Sequence, residues 1–127
     1  MKTSTALCTA FVFAAMMMYA KAAVAQDPVK VAPEKFKVIL ENDKVRVLDV
    51  RLKAGEKTGV HSHPDHIVYS LSDVKLKTTL ADAKVRESEF KSGDARWSEA
   101  VTHDNENVGT TDTHALVIEI KPAMKKK

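Results

Sequence analysis

Cysteine is almost absent from this chain of 127 residues. The one cysteine, Cys8, lies in an N-terminal segment that has the features of a removable leader. The rest of the chain contains none, which excludes a disulfide-stabilised scaffold, a thiolate metal site and an enzyme with a thiol nucleophile. Such a chain must be stabilised by an ordinary hydrophobic core, and about 100 residues are enough for one core but not for two.

The N-terminal segment 1–25 predicts a signal peptide. Lys2 supplies a positive start, a nearly unbroken apolar run covers residues 6–20, and Ala23-Val24-Ala25 fits the small-x-small pattern, so we expect cleavage before Gln26. The alternative is a membrane anchor, but a spanning helix needs about 20 apolar residues and Lys21 ends this run earlier. The sequence therefore predicts a periplasmic or secreted protein.

The net positive charge is also small once this leader is set aside. The leader carries Lys2 and Lys21 and no acidic residue, so the net charge falls from +3 for the whole chain to +1 for residues 26–127. Phosphate binding requires a clustered basic face, and the only concentrated charge is Lys125-Lys126-Lys127, which we interpret as a solvated tail. The composition argues against nucleic acid as a partner.

No segment after Gln26 shows the 3.6-residue period of a helix, and the alternation is that of short strands. Residues 26–35, which include Pro28 and Pro33, are interpreted as an N-terminal tether, and residues 122–127 as a basic tail. Turn-forming residues separate the strands, with turns predicted at 41–43, 72–73, 92–94 and 104–107. The predicted strands are 37–40, 45–52, 58–63, 66–71, 74–80, 84–90, 95–99, 100–102 and 114–121. So many short strands between residues 36 and 121 predict a sandwich or a barrel.

Histidine is concentrated at one place in the chain. Three of the five histidines fall in the segment His61-Ser62-His63-Pro64-Asp65-His66. His61 and His63 point to the same side of a strand, because side chains alternate between faces. If that side is the inside of a barrel, two imidazoles converge on one point, where a metal ion is the natural occupant.

Two groups of residues resemble the signatures of the cupin superfamily, the small jelly-roll barrels. The matching residues are Gly55, His61 and His63 in the first signature and Gly93, His103 and Asn107 in the second. The resemblance spans residues 36–121 and implies a cupin-type jelly-roll β-barrel that holds one metal ion through His61, His63 and His103. It also implies a homodimer, the usual state of small cupins.

The chain departs from the cupin pattern at the fourth ligand. The pattern has a glutamate at position 67 or 68, where this chain has Ile67 and Val68. An alignment with one residue deleted from the loop brings His66 into the ligand position, and the alternatives are water and Glu99. An all-histidine set suits Zn, Fe, Cu or Ni better than Mg or Ca. Because imidazole is neutral, such a set leaves the metal charge uncompensated and favours an anionic ligand in the open position.

Other residues near the motif have ordinary structural interpretations. We expect Asn107 to satisfy the backbone of a turn, and His114 to be structural. Asp65 either orients a ligand imidazole or caps a loop. Tyr69 and Trp97 either line a cavity or belong to the core.

The sequence as a whole predicts an exported cupin that binds one divalent transition metal and acts on a small anionic organic molecule with the help of that metal. No residue clearly supplies a general acid or base, so catalytic residues are not assigned and enzymatic activity is left open. One alternative is a non-catalytic protein of the cell envelope that binds a small ligand or a metal. The other is a metal-free barrel whose histidines form a pH-sensitive surface.

Overall fold

Short antiparallel strands make up most of the protein in the computed structural model, which describes residues 26–125. The predicted signal peptide lies outside the described residues. The elements in chain order are α1 Pro28–Val31, β1 Phe36–Glu41, β2 Val45–Leu52, β3 His61–His63, β4 His66–Ser70, β5 Val74–Leu80, β6 Val85–Phe90, β7 Ala95–Ser98, β8 Val101–Asn107 and β9 Thr113–Ile120. Across residues 26–125, no helix has the length and apolar character needed to cross a membrane.

The strands form two antiparallel sheets. One has the order β1-β2-β9-β4-β7 and the other the order β3-β8-β5-β6. This arrangement confirms the jelly-roll prediction. The two sheets are not joined by strand pairing into one closed barrel, so the described part of the chain is an open jelly roll with β6 and β7 at sheet edges.

The core follows from alternation along β2. Leu48, Val50 and Leu52 are buried on the inner face of this strand, while the residues between them are more exposed. Buried and exposed residues alternate in this way along a strand that has one face in the core. Leu48 and Val50 belong to the main core cluster, which consists of Ala32, Phe36, Leu48, Val50 and Val117.

The segment preceding β1 packs against this core. Asp27 caps α1, since its Oδ1 accepts a hydrogen bond from the Val29 amide at 2.9 Å, and Pro28 occupies the first turn of the helix, where its missing amide hydrogen costs nothing. Val31 approaches Gly59 so closely that a Cβ at Gly59 would lie 3.1 Å from the Val31 Cγ1 atom. Gly59 also has a φ of +80°, so the strand predicted from residue 58 begins only at His61.

The turn predicted at 104–107 was wrong, because these residues continue β8. Asp and Asn favour turns when no partner strand is present. Here β5 pairs with this stretch from Leu76 opposite Asn107 to Leu80 opposite His103. The segment before β3 adds further backbone hydrogen bonds, including Thr58 N–H to Asn105 O at 2.9 Å. These partners keep a polar sequence extended.

Candidate metal centre

Strands β3 and β8 place three histidines on one inner face. His61 lies directly opposite His103 in the antiparallel register, and His63 follows two residues after His61 on the same side. One side-chain nitrogen from each of the three lies within 4.8 Å of the corresponding nitrogens of the other two. His61 and His63 are buried, and His103 is half-buried. The three residues predicted from the sequence pattern therefore form a cluster compatible with a metal ion.

His66 comes to the same cluster from the other sheet. It begins β4, its side chain is buried, and its ring centroid lies 4.8 Å from that of His63. Pro64 and Asp65 connect β3 in one sheet to β4 in the other, and the His66 side chain is buried at the start of β4. His66 lies beside the trio rather than within the compact set of nitrogens formed by His61, His63 and His103. That His66 is the fourth metal ligand remains a prediction.

Nδ1 hydrogen bonds to protein oxygens fix the orientation of three of the four imidazoles, whereas the contact of His103 is between its Nε2 atom and Asn105 Nδ2, at 3.4 Å. The Nδ1 atom of His61 donates to the Gly59 carbonyl at 2.8 Å, that of His66 to the Pro64 carbonyl at 2.7 Å, and that of His63 to Glu119 Oε1 at 2.6 Å. A carbonyl or carboxylate acceptor requires a proton on Nδ1, so the Nε2 atom keeps its lone pair. Metal-binding histidines typically make this bond on the opposite side of the ring.

The Nε2 atom of His61 indicates whether the histidine cluster can bind a metal ion. This nitrogen is buried and has no hydrogen-bond partner among residues 26–125. Buried polar atoms normally have partners, and an orphan needs an explanation. A lone pair that faces two other imidazoles in a buried cluster is the donor chemistry that Zn, Fe, Cu and Ni accept. The histidine cluster thus fits a transition metal.

Glu119 was not singled out from the sequence, although it organises the site. Its two carboxylate oxygens accept hydrogen bonds from His63 Nδ1 at 2.6 Å and from Arg46 Nε at 2.7 Å. Arg46 in turn donates to Asp27 Oδ2 at 2.8 Å, so the chain of contacts runs from the capping residue of α1 to the cluster. The sequence contained a signal for the role of Glu119, because this residue follows Ala115 and Val117 on the buried face of β9. A carboxylate on such a face requires a buried partner.

Burial and neighbouring charges determine the protonation states of Glu119, His61 and His103. Burial raises the pKa of Glu119, but the hydrogen bonds from His63 and Arg46 outweigh this, so the net pKa lies below its usual value. Burial lowers the pKa of His61 to about 4, and burial with the charges of neighbouring histidines lowers that of His103 to about 3. Near neutral pH, His61 and His103 are therefore uncharged and Glu119 is ionised.

We expect the metal-free protein to become less stable as the pH falls from about 6.5 to about 4. In the unfolded chain, His61 and His103 take up protons near their ordinary pKa of 6.5, whereas in the folded protein they do so only near 4 and 3. The unfolded state therefore binds more protons in this interval, and acid favours it. Urea unfolding at a series of pH values measures the effect, and a constant free energy of unfolding between pH 7 and 4.5 would contradict it.

The remaining sequence candidates lie away from the cluster. Glu99 is exposed and does not line the cavity beside the histidines. Asp65 caps a loop, because its Oδ1 accepts from the Ala100 amide at 2.8 Å. Asn107 is buried and structural, as expected: its Nδ2 donates to the Leu52 and Thr111 carbonyls and its Oδ1 accepts from the Gly109 amide. His114 is structural too, with its Nε2 3.0 Å from Asp49 Oδ2.

The histidines open onto a cavity of about 510 Å³ between the two sheets. This volume suits a small organic molecule. The cavity walls are largely apolar, with core residues such as Val50, Leu52 and Val117 at one side. Two arginines, Arg86 and Arg96, also line the cavity, whereas no Asp or Glu from the described part of the chain does so. Trp97 contributes to the lining but is largely exposed, and Tyr69 lies outside it.

Solved structures with the same architecture identify the class of protein. A cupin domain from Bordetella pertussis Tohama I superposes with a TM-score of 0.64 and is 27% identical, over 68% of this chain and 92% of that one. An RmlC-like cupin family protein with a double-stranded β-helix fold from Methanocaldococcus jannaschii gives a TM-score of 0.54 at 14% identity, over 68% and 78% of the two chains. A cupin superfamily protein from Desulfitobacterium hafniense DCB-2 gives 0.53 at 15% identity, over 68% and 76%.

The fold, together with the histidine pair on β3 and its partner on β8, is that of the cupin superfamily. No family model and no curated protein matches the sequence. The comparisons therefore establish the fold, and the function has to be argued from the site itself.

Proposed function

We propose that the protein is an exported cupin that binds one divalent transition metal through His61, His63 and His103, with His66 as the fourth nitrogen ligand. The observation that carries the proposal is the buried and unpartnered Nε2 atom of His61, which faces the other imidazoles. The Nδ1 hydrogen bonds of His61, His63 and His66 support it, because each leaves an Nε2 lone pair available.

The ligand of this site would be a small organic anion. Four neutral imidazoles bring no negative charge to a divalent metal, the ionised Glu119 behind His63 is already paired with Arg46, and no Asp or Glu of residues 26–125 lines the cavity. A bound metal of this kind supplies Lewis acidity toward an oxygen atom of the ligand. The same lack of a carboxylate leaves the cavity without an obvious general base, and this favours the second candidate, a protein that binds a metal or a small ligand without catalysis.

Export and self-association are parts of the proposal that rest on sequence features alone. The basic start, the apolar run and the Ala23-Val24-Ala25 site support a cleaved signal peptide. The resemblance to small cupins supports a homodimer.

Metal analysis of the purified protein tests the proposal. After reconstitution with Zn, Fe, Cu or Ni in turn, we expect one equivalent of metal in the wild-type protein and none in His61→Ala/His63→Ala. His103→Ala, at a less buried position, provides a second variant with less risk of misfolding. His114→Ala is the matched control, since His114 pairs with Asp49 away from the cavity and its removal should leave the metal content unchanged.

Two results would overturn the proposal. One is a wild-type protein that takes up none of the four metals after reconstitution. The other is a stoichiometry that stays the same in the double variant and in His103→Ala while circular dichroism shows both variants folded.

A further inference from the structure

Two arginines stand on the cavity wall at the free edges of the two sheets. Arg86 lies on β6 and Arg96 on β7, and the turn that connects these strands runs from Lys91 to Asp94. Both side chains line the cavity. Among the described residues, neither forms a salt bridge with a carboxylate. Arg86 is exposed, but Arg96 is half-buried, and a guanidinium that is partly removed from water without a paired carboxylate is costly.

The pairing register places Arg96 on the same cavity wall as His66. His66 lies opposite Ser98, and Val68 lies opposite Arg96, so Arg96 is one inward-facing position further along β7 than the partner of His66. The guanidinium itself reaches toward Ser70, at the opposite end of β4 from His66, so the two polar groups lie at different ends of the cavity wall. Arg86 approaches from the other sheet, where its charge contributes to the lowered pKa of His103.

The Arg96 guanidinium is held in place but has spare donors. Its Cζ atom lies 3.2 Å from the centroid of the Phe90 ring, a cation–π contact that fixes the plane of the group. One of its five N–H donors, on Nη1, bonds the Ser70 hydroxyl at 3.3 Å. Burial lowers the pKa of Arg96, while the charge of Asp94 opposes this effect. A planar and oriented fork with free donors matches the two oxygens of a carboxylate.

We propose that Arg96 is the carboxylate-binding residue of the cavity and that the ligand is a small organic acid with a second oxygen function directed at the histidine cluster. The part of the ligand at the histidines rests on the proposed metal function, whereas the contact with Arg96 does not. Arg86 adds to the positive potential of the same cavity. The ligand class is therefore an organic acid with a carboxylate at one end and an oxygen function at the other, of a size that fits about 510 Å³.

Calorimetric titration with succinate tests this assignment in the metal-loaded and the metal-free protein. We expect the wild-type protein to bind succinate more tightly than its neutral diamide, and Arg96→Gln to weaken succinate binding by about 10- to 100-fold in both forms, as for the loss of hydrogen bonds to a charged group. Arg96→Lys should restore only part of the affinity, because an ammonium cannot form the bidentate contact. Metal stoichiometry should be the same in both variants as in the wild type.

Arg51→Gln is the matched control, since Arg51 is an exposed guanidinium paired with Asp49 and outside the cavity lining. Unchanged succinate affinity in Arg96→Gln, equally tight binding of the diamide, or no succinate binding by the wild-type protein would overturn the assignment. Phosphate binding as tight as succinate binding would overturn the organic-acid class. A protein that holds no metal but binds succinate through Arg96 would overturn the metal proposal alone, so the two failures are distinguishable.

Discussion

Replacement of Glu119 by alanine is expected to lower the free energy of unfolding of the metal-free protein by about 3 kcal/mol, as for other buried ion pairs that lose one partner. Glu119 is buried between His63 and Arg46, with contacts of 2.6 and 2.7 Å. Its removal leaves the Arg46 charge with Asp27 as its remaining partner and leaves the Nδ1 proton of His63 without an acceptor. Urea denaturation of the wild type and the variant measures the loss.

The same variant should weaken metal binding by about 10- to 100-fold, because a histidine ligand that loses its orienting carboxylate is held less firmly and is less basic. Titration of the metal-free protein with Zn measures this second effect. Glu119→Gln separates the two contacts, since its amide oxygen can still accept from His63 Nδ1, whereas the amide NH2 in place of the second oxygen cannot accept from Arg46 Nε. An intermediate effect is expected for it in both measurements.

The Glu41–Lys121 pair offers a matched control for the stability measurement. Its N···O distance of 2.7 Å equals that of Arg46–Glu119, but both side chains are considerably more exposed. Glu41→Ala should therefore cost less than about 1 kcal/mol, the usual range for surface ion pairs. If Glu119→Ala were no more destabilising than Glu41→Ala, the burial of Glu119 between His63 and Arg46 would add nothing to the free energy of unfolding.

Replacement of Phe36 by alanine should cost about 3–5 kcal/mol of unfolding free energy, the range observed for aromatic truncations in cores. The Phe36 side chain is buried in the main core cluster. Its ring centroid also lies 5.0 Å from that of His61 and 6.1 Å from that of His63. The cavity left by the truncation would border both imidazoles, so we expect weaker metal binding together with the loss of stability.

Leu40→Ala is the control for this truncation, because Leu40 belongs to the same strand and is 50% exposed. Its cost should stay below about 1 kcal/mol, since little apolar area leaves contact with the core. Thermal or urea unfolding of both variants provides the comparison. Similar losses in Phe36→Ala and Leu40→Ala would show that the core does not extend to the histidines as described.

The sequence was sufficient for the strands and for three of the histidines, since alternation and the His-x-His spacing are local patterns. The alternating burial along β2, and the orientation of His61 and His63 toward the same side of β3, both follow from the two-residue period of a strand. The turn predicted at residues 104–107 was wrong because turn preference is a local property. The partners that keep β8 extended come from strands distant in the sequence.

The supporting residues of the site depend on pairing across the fold and are harder to predict. Glu119 reaches His63 from the last strand, and its signal was a charged residue on an otherwise apolar inner face. Arg96 offers no such signal, because β7 is short and its neighbours do not reveal which face is buried. Only the register with β4, Val68 opposite Arg96, places its guanidinium in the cavity.

The separation of the two sheets has a mechanical consequence for the proposed centre. Strands β3 and β8, which carry His61, His63 and His103, belong to one sheet, whereas β4, which carries His66, belongs to the other. An ion held by all four imidazoles would act as a cross-link between two layers that strand pairing does not join. Metal loading would then resist separation of the two sheets.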